Sequence, residues 1–203
     1  MKLHWSPKSP YVRKVMVVAH ETGLVPRLEL VRSVAAMLRP NEQLMRDNPL
    51  SKIPTLVLDD GRTLFDSAVI CEYFNDLAGA ALFPKEDDAK WQALRWHALG
   101  DGLLDALILW RNERERIEAQ RSAALLDAFE LKTIATLHLL DEEAAQLQAA
   151  PFAIGHVALG CALGYMDFRF DALGWRRHAP RLTQFNEALQ ARPSFAATAV
   201  VDG

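Results

Sequence analysis

Lys52-Ile-Pro-Thr-Leu-Val-Leu-Asp-Asp-Gly-Arg-Thr-Leu-Phe-Asp-Ser67 is the stretch from which the rest of the chain can be read. Thr55 to Asp59 is rich in β-branched and aliphatic residues, Asp60-Gly61 is a strong two-residue turn signal, and Arg62 to Phe65 resumes as a short strand. This is a β-hairpin. Asp66 or Ser67 then precedes Val69, Ile70, Tyr73, Phe74 and Leu77 at helical spacing, so a helix begins where the hairpin ends. Its first turn offers unpaired N–H groups and the positive end of the helix dipole, with a serine hydroxyl beside them. A ligand carboxylate fits such a place, although ordinary helix capping accounts for each residue taken singly. Pro54 opens the first strand, where a missing N–H is tolerated. A cis isomer would also turn the Ile53 backbone outward to pair with an extended peptide; the sequence does not distinguish the isomers.

Upstream, Met1 to Trp5 reads as a short strand, and Ser6-Pro-Lys-Ser-Pro10 hands over to Val12, Val15, Met16, Val18 and Ala19 at helical periodicity. Ser9 takes the N-cap position and Pro10 the first helical position. After Gly23, Pro26 to Val31 reads as a second strand and Ala35 to Asp47 as a short helix or irregular segment. The first domain, residues 1–78, therefore has the order βαβαββα. Residues 79–88 carry Gly, Pro and a charge run, and read as a linker. From 89 to 203 the pattern is helical throughout. One long helix is expected over residues 89–120, a second over 122–149, and a small-residue-rich apolar one over 152–170 that is central to the domain; a last helix covers 180–191.

Half the residues are apolar and 24% are charged, which suits a globular protein of one large or two small domains. A net charge of −3 without a compensating basic face argues against nucleic acid as a partner, and Arg111, Arg114, Arg116 and Arg121 read as a solvated helix face. No apolar run reaches the ~18 residues that span a bilayer, and the N-terminus leads directly into structure, so no membrane association and a cytoplasmic location are expected. Cys71 and Cys161 lie apart in apolar helical patterns and are expected to be buried free thiols. The six histidines show no ligand spacing, so no metal is expected.

Asn48-Pro-Leu-Ser-Lys-Ile-Pro54, the hairpin, and then Asp66-Ser67-x-x-Ile70-x-x-Tyr73 together resemble the glutathione-binding half of the glutathione S-transferase family, in particular its bacterial members with a Ser-Pro-Tyr or Ser-Pro-Phe turn. The likeness extends across nearly the whole chain and includes the ending Arg192-Pro-Ser-Phe-Ala-Ala-Thr. It implies an α/β thioredoxin-like N-terminal domain followed by an all-α helical-bundle C-terminal domain, assembled as a homodimer. It also implies glutathione as co-substrate, with no other cofactor, and a small apolar electrophile as its acceptor. By the resemblance Ser9 is catalytic, Lys52, Ile53 and Pro54 receive glutathione along their backbone, and Asp66 and Ser67 hold its γ-glutamyl end. Ser-Pro-Tyr-Val at 9–12 also resembles the Cys-Pro-Tyr-Cys turn of glutaredoxins with both cysteines replaced. A chain lacking that nucleophilic sulfur activates a bound thiol instead of running dithiol exchange.

The electrophile would lie between the two domains, with Tyr11 and Trp110 as lining candidates and Trp5 and Tyr165 behind them. Asp101 and Asp105 fall on the helix the family uses for dimer contact. One departure stands out: the central helix of the family usually opens with a Ser/Thr-x-x-Asp capping box, and Ala153 and His156 occupy those positions here. Glutathione-dependent peroxide or disulfide reduction, and a non-catalytic binding module on the same fold, are the alternative readings.

Overall fold

The computed structural model describes residues 1–200. They divide into two compact units, one of Met1–Pro84 together with the segment from Pro193 onward, the other of Lys85–Arg192.

The first unit carries β1 (Lys2–Trp5), α1 (Pro10–Glu21), β2 (Glu29–Arg32), α2 (Glu42–Met45), β3 (Thr55–Val57), β4 (Thr63–Leu64) and α3 (Ser67–Ala78). This is the thioredoxin-like order βαβαββα. The sheet runs β2-β1-β3-β4, with β1 parallel to β2 and antiparallel to β3, and β3 antiparallel to β4. Leu3, Leu56, Val15, Val18, Ile70 and Phe74 are fully buried and form its core. The hairpin turns at Asp60-Gly61, where Gly61 has φ +86°, a conformation that a Cβ would strain. Across the turn Arg62 pairs with Asp60 and holds that carboxyl below its usual range.

Two expectations shift within this unit. The second strand starts at Glu29, because Pro26 lies in a 3-10 turn over Val25–Arg27. The C-terminal segment also belongs here: the helix α9 (Pro193–Ala196) packs on α1, Phe195 is fully buried, and Arg13 donates to the Phe195 carbonyl at 3.1 Å. A sequence boundary drawn on linker composition places that segment with the helical domain, since a four-residue helix leaves no periodic signal.

The second unit is helical: α4 (Asp87–Arg114), α5 (Ala123–Glu142), α6 (Ala144–Ala149), α7 (Ile154–Arg169) and α8 (Pro180–Gln190). Helix α7 is the buried centre and packs chiefly on α4. Helix α4 stops at Arg114 rather than near Gln120, and the chain turns where the Glu113 carboxylate accepts from the Ser122 N–H at 2.6 Å. The helix expected over 122–149 breaks at Glu143, whose carboxylate is held by both Arg95 guanidinium nitrogens and by the Trp96 indole N–H. Among the arginines read as a solvated face, Arg114 instead lies 4.1 Å over the Phe170 ring and donates to the Arg169 carbonyl, and burial lowers its pKa. Cys71 and Cys161 are buried and are not joined in a disulfide.

The absent capping box of α7 is half rebuilt by another residue. His156 Nδ1 accepts from the Ala153 N–H at 3.2 Å, doing what the family's aspartate would do, while Nε2 donates to the Leu147 carbonyl at 3.0 Å. These bonds require the neutral ring, and burial among Trp96, Phe152 and Phe185 pushes its pKa down. Because the folded value lies below the unfolded one, near 6.5, the unfolded chain binds more protons across that interval. The stabilisation is complete above pH ~6.5 and is lost as pH falls toward the folded value. We expect the melting temperature to drop between pH 7 and 5 more steeply in the wild type than in His156→Phe.

Candidate functional site

Strand register brings four connections to one end of the sheet. Trp5 ends β1, so Ser6–Ser9 leave from that end; His4 pairs with Thr55, so Lys52–Pro54 arrive at it. Leu64 pairs with Leu56, so Phe65–Ser67 leave from the same end, and Trp5 pairs with Arg32, so Ser33 follows beside them. Strands β1, β3 and β4 thus bring residues 9, 54 and 67 to one rim, with Ser33 beside them from β2.

Each connection is shaped by its own sequence. Ser9 is the N-cap of α1: its Oγ accepts from the Val12 N–H at 3.2 Å, which leaves the hydroxyl hydrogen available to donate. Pro10 is buried behind it, and half-buried Tyr11 follows, with the ammonium of fully buried Lys14 at 5.9 Å from its ring. The Ile53–Pro54 peptide is cis, resolving the isomer that the sequence left open. The β3 ladder starts at Thr55, so half-buried Ile53 lies outside it and its backbone is not committed to the sheet. Lys52 is exposed.

At the third connection Asp66, not Ser67, is the N-cap of α3, its Oδ1 accepting from the Ala68 N–H at 2.9 Å. Asp66 is exposed and Ser67 is 2% exposed as the first helical residue. The Ser67 N–H has no partner within the helix by construction, so the α3 terminus keeps a donor facing the rim. Two helix N-termini, α1 and α3, therefore direct positive potential toward one place, which suits an anion.

Of the remaining sequence candidates, Trp5 ends β1 beside this rim, and Trp110, Tyr165, Asp101 and Asp105 lie in the helical unit. Trp110 is buried in the helical unit, 4.9 Å from the Phe170 ring, and Tyr165 is buried beside Phe168 and Phe170. Trp5, on β1, stacks with the Arg32 guanidinium at 5.6 Å. Asp101 pairs with His97 one turn earlier on α4, at 3.2 Å.

Several residues beyond the sequence candidates also shape this rim. Asn48 is buried and bonds Lys52 and Thr55; His4 links Ser33 Oγ and Asp47 Oδ2, each at 2.8 Å. The Asn48-Pro49 dipeptide is a turn signal that could have pointed to the first. The His4 pairing joins residues 29 and 43 positions apart and had no local signal.

Residues 8–77 match the family described as glutathione S-transferase, N-terminal domain. The chain is 32% identical over 201 residues, covering 98% of both sequences, to YibF of Escherichia coli K12, described as an uncharacterized GST-like protein. Its structure is similar to that of a glutathione transferase family member from Pseudomonas fluorescens Pf-5 with bound glutathione, at 40% identity and a TM-score of 0.95 over 99% of each chain. It is also similar to a glutathione S-transferase from Methylobacillus flagellatus KT with glutathione bound, at 35% identity and a TM-score of 0.88 over 98% of this chain and 99% of that one. Full-length similarity at this level, joined to the match over residues 8–77, places the chain in the glutathione S-transferase family.

Proposed function

We propose that this protein is a homodimeric, cytoplasmic glutathione transferase that uses Ser9 to hold the glutathione thiolate for attack on an apolar electrophile. The observation that carries the reading is the meeting of Ser9, the cis Ile53–Pro54 segment and the α3 N-terminus at one end of the sheet. Glutathione is an extended tripeptide with a carboxylate and an ammonium at its γ-glutamyl end. Its cysteinyl backbone pairs with Ile53, its γ-glutamyl carboxylate meets the Ser67 N–H and hydroxyl, and its ammonium meets the Asp66 carboxylate. The sulfur then lies toward Ser9.

A free thiol of the cysteine type titrates near pH ~8.5, and a hydroxyl donor with a positive helix end favours the thiolate. The proton leaves to solvent. The sulfur lone pair forms a bond to the electrophilic carbon while that carbon's bond to its leaving group breaks, and the leaving group departs as an anion. Tyr11 follows Ser9 by two residues and is the nearest candidate for contact with the acceptor; Trp110 and Lys52 complete the expected set.

Isothermal calorimetry with reduced glutathione tests this directly. The wild type is expected to show saturable binding, and Ser67→Ala to weaken it roughly ten- to hundred-fold, as the loss of one hydrogen bond to a charged group would. No heat at millimolar glutathione would overturn the reading in favour of a binding module.

A further inference from the structure

The segment that delivers Ile53 to the rim is not held by the sheet, and the structure shows what holds it instead. Asn48 is 1% exposed and Thr55 is fully buried. Asn48 Nδ2 donates to the Lys52 carbonyl at 3.2 Å and to Thr55 Oγ1 at 2.9 Å, and the Thr55 hydroxyl donates to the same Lys52 carbonyl at 2.8 Å. The Lys52 carbonyl is therefore fixed from two sides, one peptide before Ile53. Asn48 Oδ1 accepts from the Leu50 N–H at 3.0 Å, and the Ser51 N–H bonds back to the Asn48 carbonyl at 2.9 Å. That turn closes through Ser51 at φ +52°, in the left-handed region. Its hydroxyl accepts from the Asn41 N–H at 2.8 Å, tying the turn to the N-cap of α2.

The base of the turn is anchored as well. Asp47, the residue before Asn48, is bonded to buried His4 on β1 at 2.8 Å, and His4 in turn is bonded to Ser33 at the end of β2 at 2.8 Å. Buried and part-buried polar contacts, joined through the Asp47–Asn48 peptide, thus run from β1 to the peptide preceding Ile53. Buried polar networks of this kind, fully satisfied, select one backbone arrangement.

We propose that Asn48 and Thr55 are positioning residues for glutathione. They touch no ligand, but they hold the Lys52 carbonyl so that the Ile53 N–H and C=O point at the tripeptide before it arrives. The inference rests on the glutathione reading above. It deepens that reading by separating two tasks: the Asn48–Thr55 pair governs affinity for the tripeptide backbone, and Ser9 governs the state of its sulfur.

Thr55→Val is nearly isosteric and removes the hydroxyl from this cluster; Thr55→Ser restores it. Calorimetry, steady-state kinetics and the pH dependence of thiolate absorbance at 240 nm are read on all three proteins. The expected result is a rise of about ten-fold in the glutathione Kd and KM of Thr55→Val. Its kcat at saturating glutathione and the thiol pKa stay at wild-type values, and Thr55→Ser regains most of the affinity. Should Thr55→Val not fold, Asn48→Asp, which keeps the acceptor toward Leu50 and loses the donor toward Lys52, is read in its place with the same expectation.

A wild type that binds glutathione while the folded variant binds it equally well overturns the inference alone. A wild type that binds none overturns it together with the transferase reading. A loss of kcat and affinity in parallel, without rescue by serine, also overturns it, because that is the mark of general loosening.

Discussion

Ser9→Gly is expected to lower turnover with an activated aryl halide at pH 7 by roughly 10- to 100-fold while leaving the glutathione Kd within about two-fold. Glycine is the informative replacement because it removes the hydroxyl donor yet costs the N-cap of α1 only a few tenths of a kcal/mol, whereas alanine costs about 1 kcal/mol. Any loss of rate can then be separated from a loss of fold. The physical cause is the thiolate population. If the serine hydroxyl and the α1 terminus together hold the sulfur ionised below neutrality, the wild-type rate is flat through pH 7. The variant rate rises with pH toward a pKa that lies above the wild-type value and at or below the ~8.5 of an unassisted thiol, since the α1 terminus remains. Stopped kinetics across pH 6 to 9 check it, and identical profiles for the two proteins would remove Ser9 from the chemistry. A hydroperoxide assayed beside the aryl halide shows which acceptor the activated sulfur serves.

The largest expected loss of stability comes from a smaller change. A Cβ at Gly100 on α4 would stand 2.7 Å from the backbone carbon of Ala158 and 2.8 Å from its Cβ on α7, and a Cβ at Gly155 would stand 2.7 Å from Trp96 Cβ and 2.8 Å from the Ala93 carbonyl oxygen. The two helices approach through these glycines, and the obstructing atoms are mostly backbone, which cannot rotate away. Gly100→Ala forces the helices apart along a fully buried seam. Overpacking of this kind costs about 1–3 kcal/mol or more, and alanine recovers up to ~1 kcal/mol of helix propensity. A net loss of about 2 kcal/mol is expected, or roughly 4–8 °C in melting temperature for a chain of this size. Gly102, two residues along the same helix, has open space around its missing Cβ and serves as the control: Gly102→Ala is expected to hold or raise the melting temperature. Equal melting temperatures for the two alanine variants would show that α4 and α7 can part without cost.

The legible and illegible parts of the molecule divide along the range of the interactions involved. The hairpin at Asp60-Gly61, the cap and proline that start α1, and the helix that follows Phe65 were readable because turn chemistry and capping act over a few residues. The break at Glu143 was not, because a carboxylate held by Arg95 and Trp96 from another helix decides it. The start of α8 at Pro180 was readable from its proline, but its cap was not: Ala179 has no side-chain oxygen, and Asp141 of α5 accepts from the Arg181 and Leu182 N–H groups instead. His156 shows both sides at once. Its position three residues after Ala153 was visible, but that its ring stands in for an aspartate depended on the Leu147 carbonyl fixing the tautomer.

For the candidate site, residue types and spacing alone determined which groups are present: a serine before a helix, a proline opening a strand, and an acid and serine at the next helix start. These are local, and the chain carries them in any conformation. Only the tertiary structure decided that they share one rim, because strand order β2-β1-β3-β4 and the antiparallel register of β3 bring residues 9, 54 and 67 together. It also decided that Pro54 is cis, and that Asn48, Thr55, His4 and Asp47 stand behind Ile53. A hydrogen bond between residues 43 positions apart has no signature in either neighbourhood, since its partners become neighbours only once the sheet has formed.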